Sequence, residues 1–367
     1  MYQALNAILI LLCALYMWME KSIKKGQRKY IYGMLVIAAA ILFAFRPENT
    51  KDTMGYIESF NGSKLRLNTD ISLLQKYGGY EIGYIYLMQL FRLITTNYRV
   101  FFFFISFVGL AGTLYGLNRL SVGAIGAKGD GNSKPLIGAV LALYISNYGF
   151  LYHGISVRAG LSFALGIMCF LHLRMNKRFT GLEYLILAFV IQRTSFLFLV
   201  AYIIYRYLPP IKKTIHLIIW ALSGLLMISG IASMALISII KVMLSIIERF
   251  GISGYGAYFM TLDVAVGLTD IYKWLLYGLL VVICDTQESN QRYLNIVMAG
   301  SLIVVFLHDV RAISRAYDIF YLFIIPLLVQ FYNRKMRYTS ILSPFRRTIT
   351  YGVIVLGAAS LFITCFG

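Results

Sequence analysis

Five arginines at the ends of apolar runs carry the first chemical signal in this sequence: Arg46, Arg158, Arg193, Arg311 and Arg315. An arginine at the centre of a membrane helix costs roughly 2.5–3.5 kcal/mol on insertion scales, so each needs a partner or a function. A guanidinium can donate to two phosphate oxygens at once, whereas lysine is a point charge. The pattern favours a site for a phosphate-bearing anion. The alternative for Arg46 and Arg158 is anchoring at lipid headgroups.

Candidate proton acceptors lie near these arginines in the sequence. Asp52 and Glu81 follow Arg46, and His308 precedes Arg311. Two roles are open for the carboxylates: ion-pair partners of the arginines, or a general base that deprotonates a hydroxyl beside the phosphate site. His308 is a further candidate base, its alternative being a structural histidine near a helix end.

The composition is that of a polytopic membrane protein. Hydrophobic residues make up 59% of the 367, charged residues only 13%, and the mean hydropathy is +0.74. Soluble domains carry about 25% charged residues. We therefore predict an all-α transmembrane helical bundle that forms a single integral membrane domain over residues 1–367.

The net charge of +19 is concentrated in short loops, which predicts no nucleic-acid partner. Motifs for metal or nucleotide binding are missing, so no cofactor is expected.

The basic loops predict the topology, because lysine and arginine concentrate on the cytoplasmic side. The predicted cytoplasmic loops are 20–29, 120–134, 174–179, 207–214, 285–291 and 333–347. About twelve crossings connect them, with both termini outside. These crossings are 4–19, 30–45, 100–119, 135–152, 157–173, 180–192, 195–208, 215–240, 271–284, 292–308, 316–332 and 348–365.

An external loop is predicted over residues 47–99. Within it, residues 81–95 form an amphipathic helix that lies at the external interface or re-enters the membrane. This topology places all five arginines on the external side, where the positive-inside rule predicts few. Such an excess requires a cause, and an anionic ligand supplies one.

Four segments resemble the EpsG family of Wzy-like polysaccharide polymerases. They are RPENTKDTMGYIESF (46–60), YEIGYIYLMQLF (80–91), ISVRAGLSFALGIM (155–168) and SRAYDIFYLFIIP (314–326). The first and third are similar to the family's arginine motifs, the second to its Glu-x-Gly-Tyr segment, and the fourth to its late arginine, tyrosine and proline helix. The likeness spans most of the chain in the same order.

The resemblance implies a multi-pass enzyme of the bacterial inner membrane, a glycosyltransferase-type polymerase that needs no metal. It would join oligosaccharide repeat units carried on undecaprenyl pyrophosphate at the external face, for O-antigen, capsule or exopolysaccharide. Arg158 and Arg315 would bind the pyrophosphate, with Arg46, Arg311 and Arg193 assisting. Asp52 or Glu81 would activate the acceptor hydroxyl. Membrane lipids, a flippase and a chain-length regulator are the implied partners.

The chain departs from the family pattern at two positions. Ala159 stands where the family usually has glutamine, and Arg193 where it often has histidine. If that histidine transfers protons in relatives, Glu81, Asp52 or His308 must do so here.

Two other classes of membrane protein remain alternatives. A glycosyltransferase that uses a polyprenyl-phosphate sugar would need a carboxylate pair in the first external loop, where Asp52 and Glu58 lie. A flippase for lipid-linked glycans would need charges midway through several helices, whereas here the arginines lie at helix ends.

Overall fold

The structure is a computed structural model. It describes residues 1–63, 80–125, 136–231, 266–284, 287–307, 314–333 and 345–366, together with residues 234 and 238. Residues 25, 123–125, 314–316 and 366 are described in the backbone only. Helices account for nearly all of these residues, and none of them is in a β-strand. The predicted all-α class is confirmed.

The α-helices are α1 (Tyr2–Met19), α2 (Lys25–Ala44), α3 (Thr53–Gly62), α4 (Ile82–Ile94), α5 (Tyr98–Ile125), α6 (Ile137–Tyr144), α7 (Val157–Arg174), α8 (Arg178–Ile191), α9 (Leu197–Tyr207), α10 (Lys213–Ser229), α11 (Leu268–Ile283), α12 (Glu288–Leu307), α13 (Ser314–Tyr321), α14 (Ile324–Asn333) and α15 (Arg346–Phe366). A π-helix, Ile145–Ile155, continues α6, and a 3₁₀-helix, Arg193–Phe196, joins α8 to α9.

Six of the described helices are long and apolar enough to cross a membrane, namely α1, α2, α5, α7, α12 and α15. The protein is therefore a helical membrane bundle, and the count of about twelve crossings stays a prediction. Helix α4 occupies the predicted position of the amphipathic segment. Its 13 residues span about 20 Å, less than the roughly 30 Å of a bilayer core. Its location at the interface stays a prediction.

The chain divides into two compact units, Met1–Tyr202 with Leu328–Gly367, and Ile203–Leu327. In the first unit, α5 packs against α2 and α7, α7 against α8, and α15 against the π-helix. A buried aromatic cluster, which includes Phe60, Tyr84 and Phe101, lies where α2 ends and α5 and α7 begin, and it is completed by residues of α3 and α4. Elsewhere in the unit, the Glu20 carboxylate after α1 accepts the Gly138 N–H of α6 at 3.0 Å.

In the second unit, α10 and α11 are joined by two tryptophans. The Trp220 and Trp274 rings stack at 4.8 Å between centroids. Each indole N–H donates to the other residue's carbonyl oxygen, at 3.1 and 3.0 Å. Because both indole N–H donors are satisfied and the two rings stack on each other, this contact sets the approach of the two helices. Helix α12 packs against α11 and α13.

Candidate functional site

The site begins where α4 begins, at Glu81. This residue has an extended backbone, and its carbonyl accepts the N–H groups of Tyr84 and Ile85 at 3.0 and 3.2 Å, which starts the helix. Tyr84, Ile85 and Met88 bury one face of α4 in the aromatic cluster. That burial positions Glu81 at the edge of the cluster, with its side chain 13% exposed.

The Glu81 carboxylate forms an ion pair with Arg158, the second residue of α7. Nη1 of Arg158 donates to Oε2 of Glu81, and the arginine side chain is 14% exposed. The guanidinium also lies over the Tyr80 ring, 5.0 Å from its centroid. A cation in the first turn of a helix is disfavoured by the helix dipole. The position of Arg158 is therefore one that an anion stabilises, and Glu81 supplies it here.

Arg193 lies beside the same carboxylate. It begins the 3₁₀-helix that follows α8, and its backbone N–H donates to Oε1 of Glu81 at 3.2 Å, while its side chain is exposed. Glu81 thus links segments that are 77 and 112 residues away in the sequence. The structure brings together three of the predicted site residues.

Arg46 is enclosed on the other side of the aromatic cluster, where it is 3% exposed. Nε donates to the Thr53 hydroxyl at 2.8 Å, Nη1 donates to the Phe43 carbonyl at 3.1 Å, and the guanidinium lies 4.0 Å from the Phe102 ring centroid. Burial lowers the pKa of Arg46, although arginine remains charged in proteins. These contacts fasten the end of α2 to the start of α3 and to α5.

Tyrosines separate the two arginines. Tyr80 stacks on Tyr56 at 5.3 Å, and Tyr84 meets both rings edge-on, at 5.8 and 5.9 Å. Burial raises the pKa of Tyr80 to about 12 and that of Tyr84 well above its usual value, so both phenols stay protonated. Tyr56 and Tyr84 are buried, so their rings pack within the cluster and are not available to stack on a sugar. Tyr80 and Tyr86 retain partial exposure.

The other predicted site residues lie elsewhere or outside the description. Asp52 is exposed, with a left-handed backbone at φ 63°, immediately before α3. His308 and Arg311 lie outside the described residues. Arg315 is described in its backbone, in the first turn of α13. Within the described part of the chain, no group of three or more His, Cys, Asp or Glu side chains is placed to hold a metal ion.

Sequence reasoning missed an ion pair in the second unit. Nζ of Lys273, in α11, lies 2.7 Å from Oδ1 of Asp318, in α13, with the side chains 14% and 6% exposed. The ammonium also lies 3.9 Å from the Tyr317 ring centroid, and Tyr321 donates to the Lys273 carbonyl at 2.9 Å. The sequence did contain a signal for this pair, because Lys273 lies in the predicted crossing 271–284 and Asp318 in the predicted crossing 316–332. Charges in membrane segments are rare unless they are paired.

Gly83 permits the close approach of α4 to α8, so Gly83→Ala should weaken the site. A Cβ on Gly83 would lie 2.7 Å from the Val190 carbonyl oxygen, which is backbone and cannot turn aside. Overpacking of this kind costs about 1–3 kcal/mol. We expect a lower thermal midpoint and, because α4 shifts Glu81 away from the Arg193 N–H, lower activity in the assay proposed below. Gly33→Ala in α2 is the control, since no atom lies within 4 Å of its Cβ position. Equal stability and activity of the two variants would contradict this account.

The fold and this cluster define a helical membrane protein that collects arginines and a carboxylate where several helix ends meet. The chain belongs to the EpsG family, which it matches over residues 29–366, and the resemblance seen in the four motifs is confirmed. Family membership indicates a polymerase of polysaccharide biosynthesis. No curated protein and no solved structure shows significant similarity to the chain.

Proposed function

We propose that this protein polymerises oligosaccharide repeat units carried on undecaprenyl pyrophosphate, at the external face of the bacterial inner membrane. The observation that carries the proposal is the contact of Glu81 with Arg158 and with the backbone N–H of Arg193. It combines a proton acceptor with donors suited to phosphate oxygens in one partly accessible place. The external location is supported by the distribution of basic loops.

In the proposed reaction, a hydroxyl oxygen of the acceptor glycan attacks the anomeric carbon of the donor glycan. The bond from that carbon to the pyrophosphate oxygen breaks, and its electron pair leaves with undecaprenyl pyrophosphate. Glu81 accepts the proton of the attacking hydroxyl, which needs the two groups within about 2.6–3.2 Å or one intervening water. Asp52, exposed before α3, is the alternative proton acceptor, and His308 is a further one.

Arg158 stabilises the negative charge that develops on the leaving pyrophosphate. Guanidinium groups that are already in place do this without reorganisation during the reaction. The exposed side chain of Arg193 and the residues Arg311 and Arg315 are proposed to assist. For Arg46 the enclosed contacts favour a positioning role, in which it holds α2 and α3 around the aromatic cluster. A flippase would supply the substrate, and a chain-length regulator would limit the product.

Reconstitution tests the function directly. Purified protein in proteoliposomes that contain a single undecaprenyl-pyrophosphate-linked repeat unit should form glycans of several units. One undecaprenyl pyrophosphate should be released for each bond formed, as measured by electrophoresis of the glycan and mass spectrometry of the lipid. Transfer only from a polyprenyl-monophosphate sugar would identify the alternative glycosyltransferase. Movement of the lipid-linked unit across the bilayer without bond formation would identify a flippase.

A further inference from the structure

We infer that Glu81 holds Arg158 as a substitute for the ligand's phosphate, and that pyrophosphate binding displaces this carboxylate and frees it to accept the hydroxyl proton. The inference rests on the proposed function and adds an order of events to it. The ion pair is then a resting state of the site, and the donor lipid exchanges places with the glutamate on the arginine.

The donors around Glu81 match those that hold a phosphate. One carboxylate oxygen accepts from the Arg158 guanidinium, and the other accepts from the Arg193 backbone N–H. Guanidinium and backbone N–H groups at the start of a helical turn are common donors to phosphate oxygens. Two oxygens of a phosphate could accept the same two bonds, so the carboxylate and the ligand compete for one set of donors.

Arg158 has hydrogen-bonding capacity that Glu81 does not use. Its Nε is buried and has no hydrogen-bond partner among the described residues. A carboxylate bound to Nη1 leaves that donor unsatisfied, which costs free energy in a dry environment. A tetrahedral phosphate can take two guanidinium donors at once. The second oxygen of Glu81 is bonded to the Arg193 N–H, whereas a phosphate has a third oxygen that can engage Nε as well, which favours the ligand over the carboxylate.

Burial of the pair is incomplete, which leaves a route for exchange. The side chains of Arg158 and Glu81 are 14% and 13% exposed, and the neighbouring Arg193 side chain is exposed. Arg46 differs in this respect, because it is 3% exposed and its Nε and Nη1 are bonded to Thr53 and Phe43. Of the two arginines, Arg158 is the one that a ligand can reach.

The exchange links proton acceptance to donor binding. While Glu81 is bonded to Arg158 and the Arg193 N–H, these contacts occupy lone pairs on both of its oxygens. Once the pyrophosphate holds the arginine, Glu81 is released beside the reacting groups and accepts the proton of the attacking hydroxyl. The hydroxyl oxygen forms the new glycosidic bond, and the pyrophosphate leaves with the electrons of the broken bond. A hydroxyl that arrives before the donor meets an engaged carboxylate.

Glu81→Gln gives opposite effects on binding and on turnover under this scheme. Glutamine cannot compete as an anion for Arg158, so undecaprenyl pyrophosphate in nanodiscs should bind about tenfold more tightly. Polymerisation in proteoliposomes should fall by about 100-fold or more, because the proton acceptor is lost. The matched control is Glu183→Gln, which removes an exposed carboxylate from α8 and should change neither quantity. A merely structural role for Glu81 would weaken binding and turnover together.

Glu81→Asp keeps the inference testable if the glutamine variant does not fold. The shorter aspartate weakens the contact with Arg158, so binding of undecaprenyl pyrophosphate should tighten in this variant as well. Unchanged or weaker binding in a folded variant would overturn the exchange. Polymer formation by the wild-type protein would still support the proposed function in that case. Absence of polymer from wild-type protein that binds the lipid would refute the function itself.

Discussion

Replacement of Arg158 by alanine should abolish long polymer in cells and leave single lipid-linked repeat units on the outer face of the inner membrane. Removal of one preorganised donor to a developing negative charge typically costs about 10²–10³-fold in rate. Arg158→Lys should retain part of the activity, because it keeps the charge but loses the planar fork. The measurement is glycan length by electrophoresis, at matched protein levels, with the accumulated units assigned to one face of the membrane.

Arg99→Ala is the control for this experiment. Arg99 lies at the start of α5, is exposed, and contacts Tyr98 and the Phe45 ring rather than Glu81. Its replacement should leave polymer length unchanged. Polymer of normal length in the Arg158→Ala strain would show that this arginine is only an anchor and takes no part in the proposed site. Accumulation of repeat units on the cytoplasmic face would identify a defect in transport instead.

Asp318→Asn should destabilise the protein by about 3–5 kcal/mol, because it leaves the Lys273 ammonium buried without its counter-charge. The effect is large since the two side chains are only 14% and 6% exposed. Unfolding in mild detergent, followed by circular dichroism during a denaturant titration, measures it. Glu288→Gln is the control in the same unit, because Glu288 is 68% exposed in its pair with Arg292. Exposed pairs contribute about 0.2–1 kcal/mol.

The double variant Lys273→Met with Asp318→Leu distinguishes the contribution of the two charges to stability from that of the packing around them. Removal of both charges together avoids the unpaired ion, so this variant should be more stable than Asp318→Asn. A double variant as unstable as the single one would show that the side chains contribute through packing with Tyr317 rather than through their charges. An Asp318→Asn protein as stable as wild type would contradict the buried ion pair.

Much of the site could be predicted from residue types. Arg158 and Arg193 were predicted because arginine is costly in an apolar run, and Glu81 because a carboxylate can pair with such arginines or act as a general base. The contact among them could not be predicted, since the residues are 77 and 112 positions apart and no local pattern specifies which helix ends meet. The packing of Arg46 against the Phe102 ring and the Lys273–Asp318 pair depend in the same way on neighbours that are remote in the chain.

The apolar content and the basic loops determined by themselves that this is a helical membrane protein, because both signals are local and follow from the transfer of side chains between water and lipid. The four motifs were likewise enough to predict that the chain belongs to the EpsG family. Only the tertiary structure decided that Glu81 contacts Arg158, that Tyr56 and Tyr84 are buried, and that Arg46 is enclosed. These facts depend on packing between helices, where the partner of each polar group is set by which segments come together.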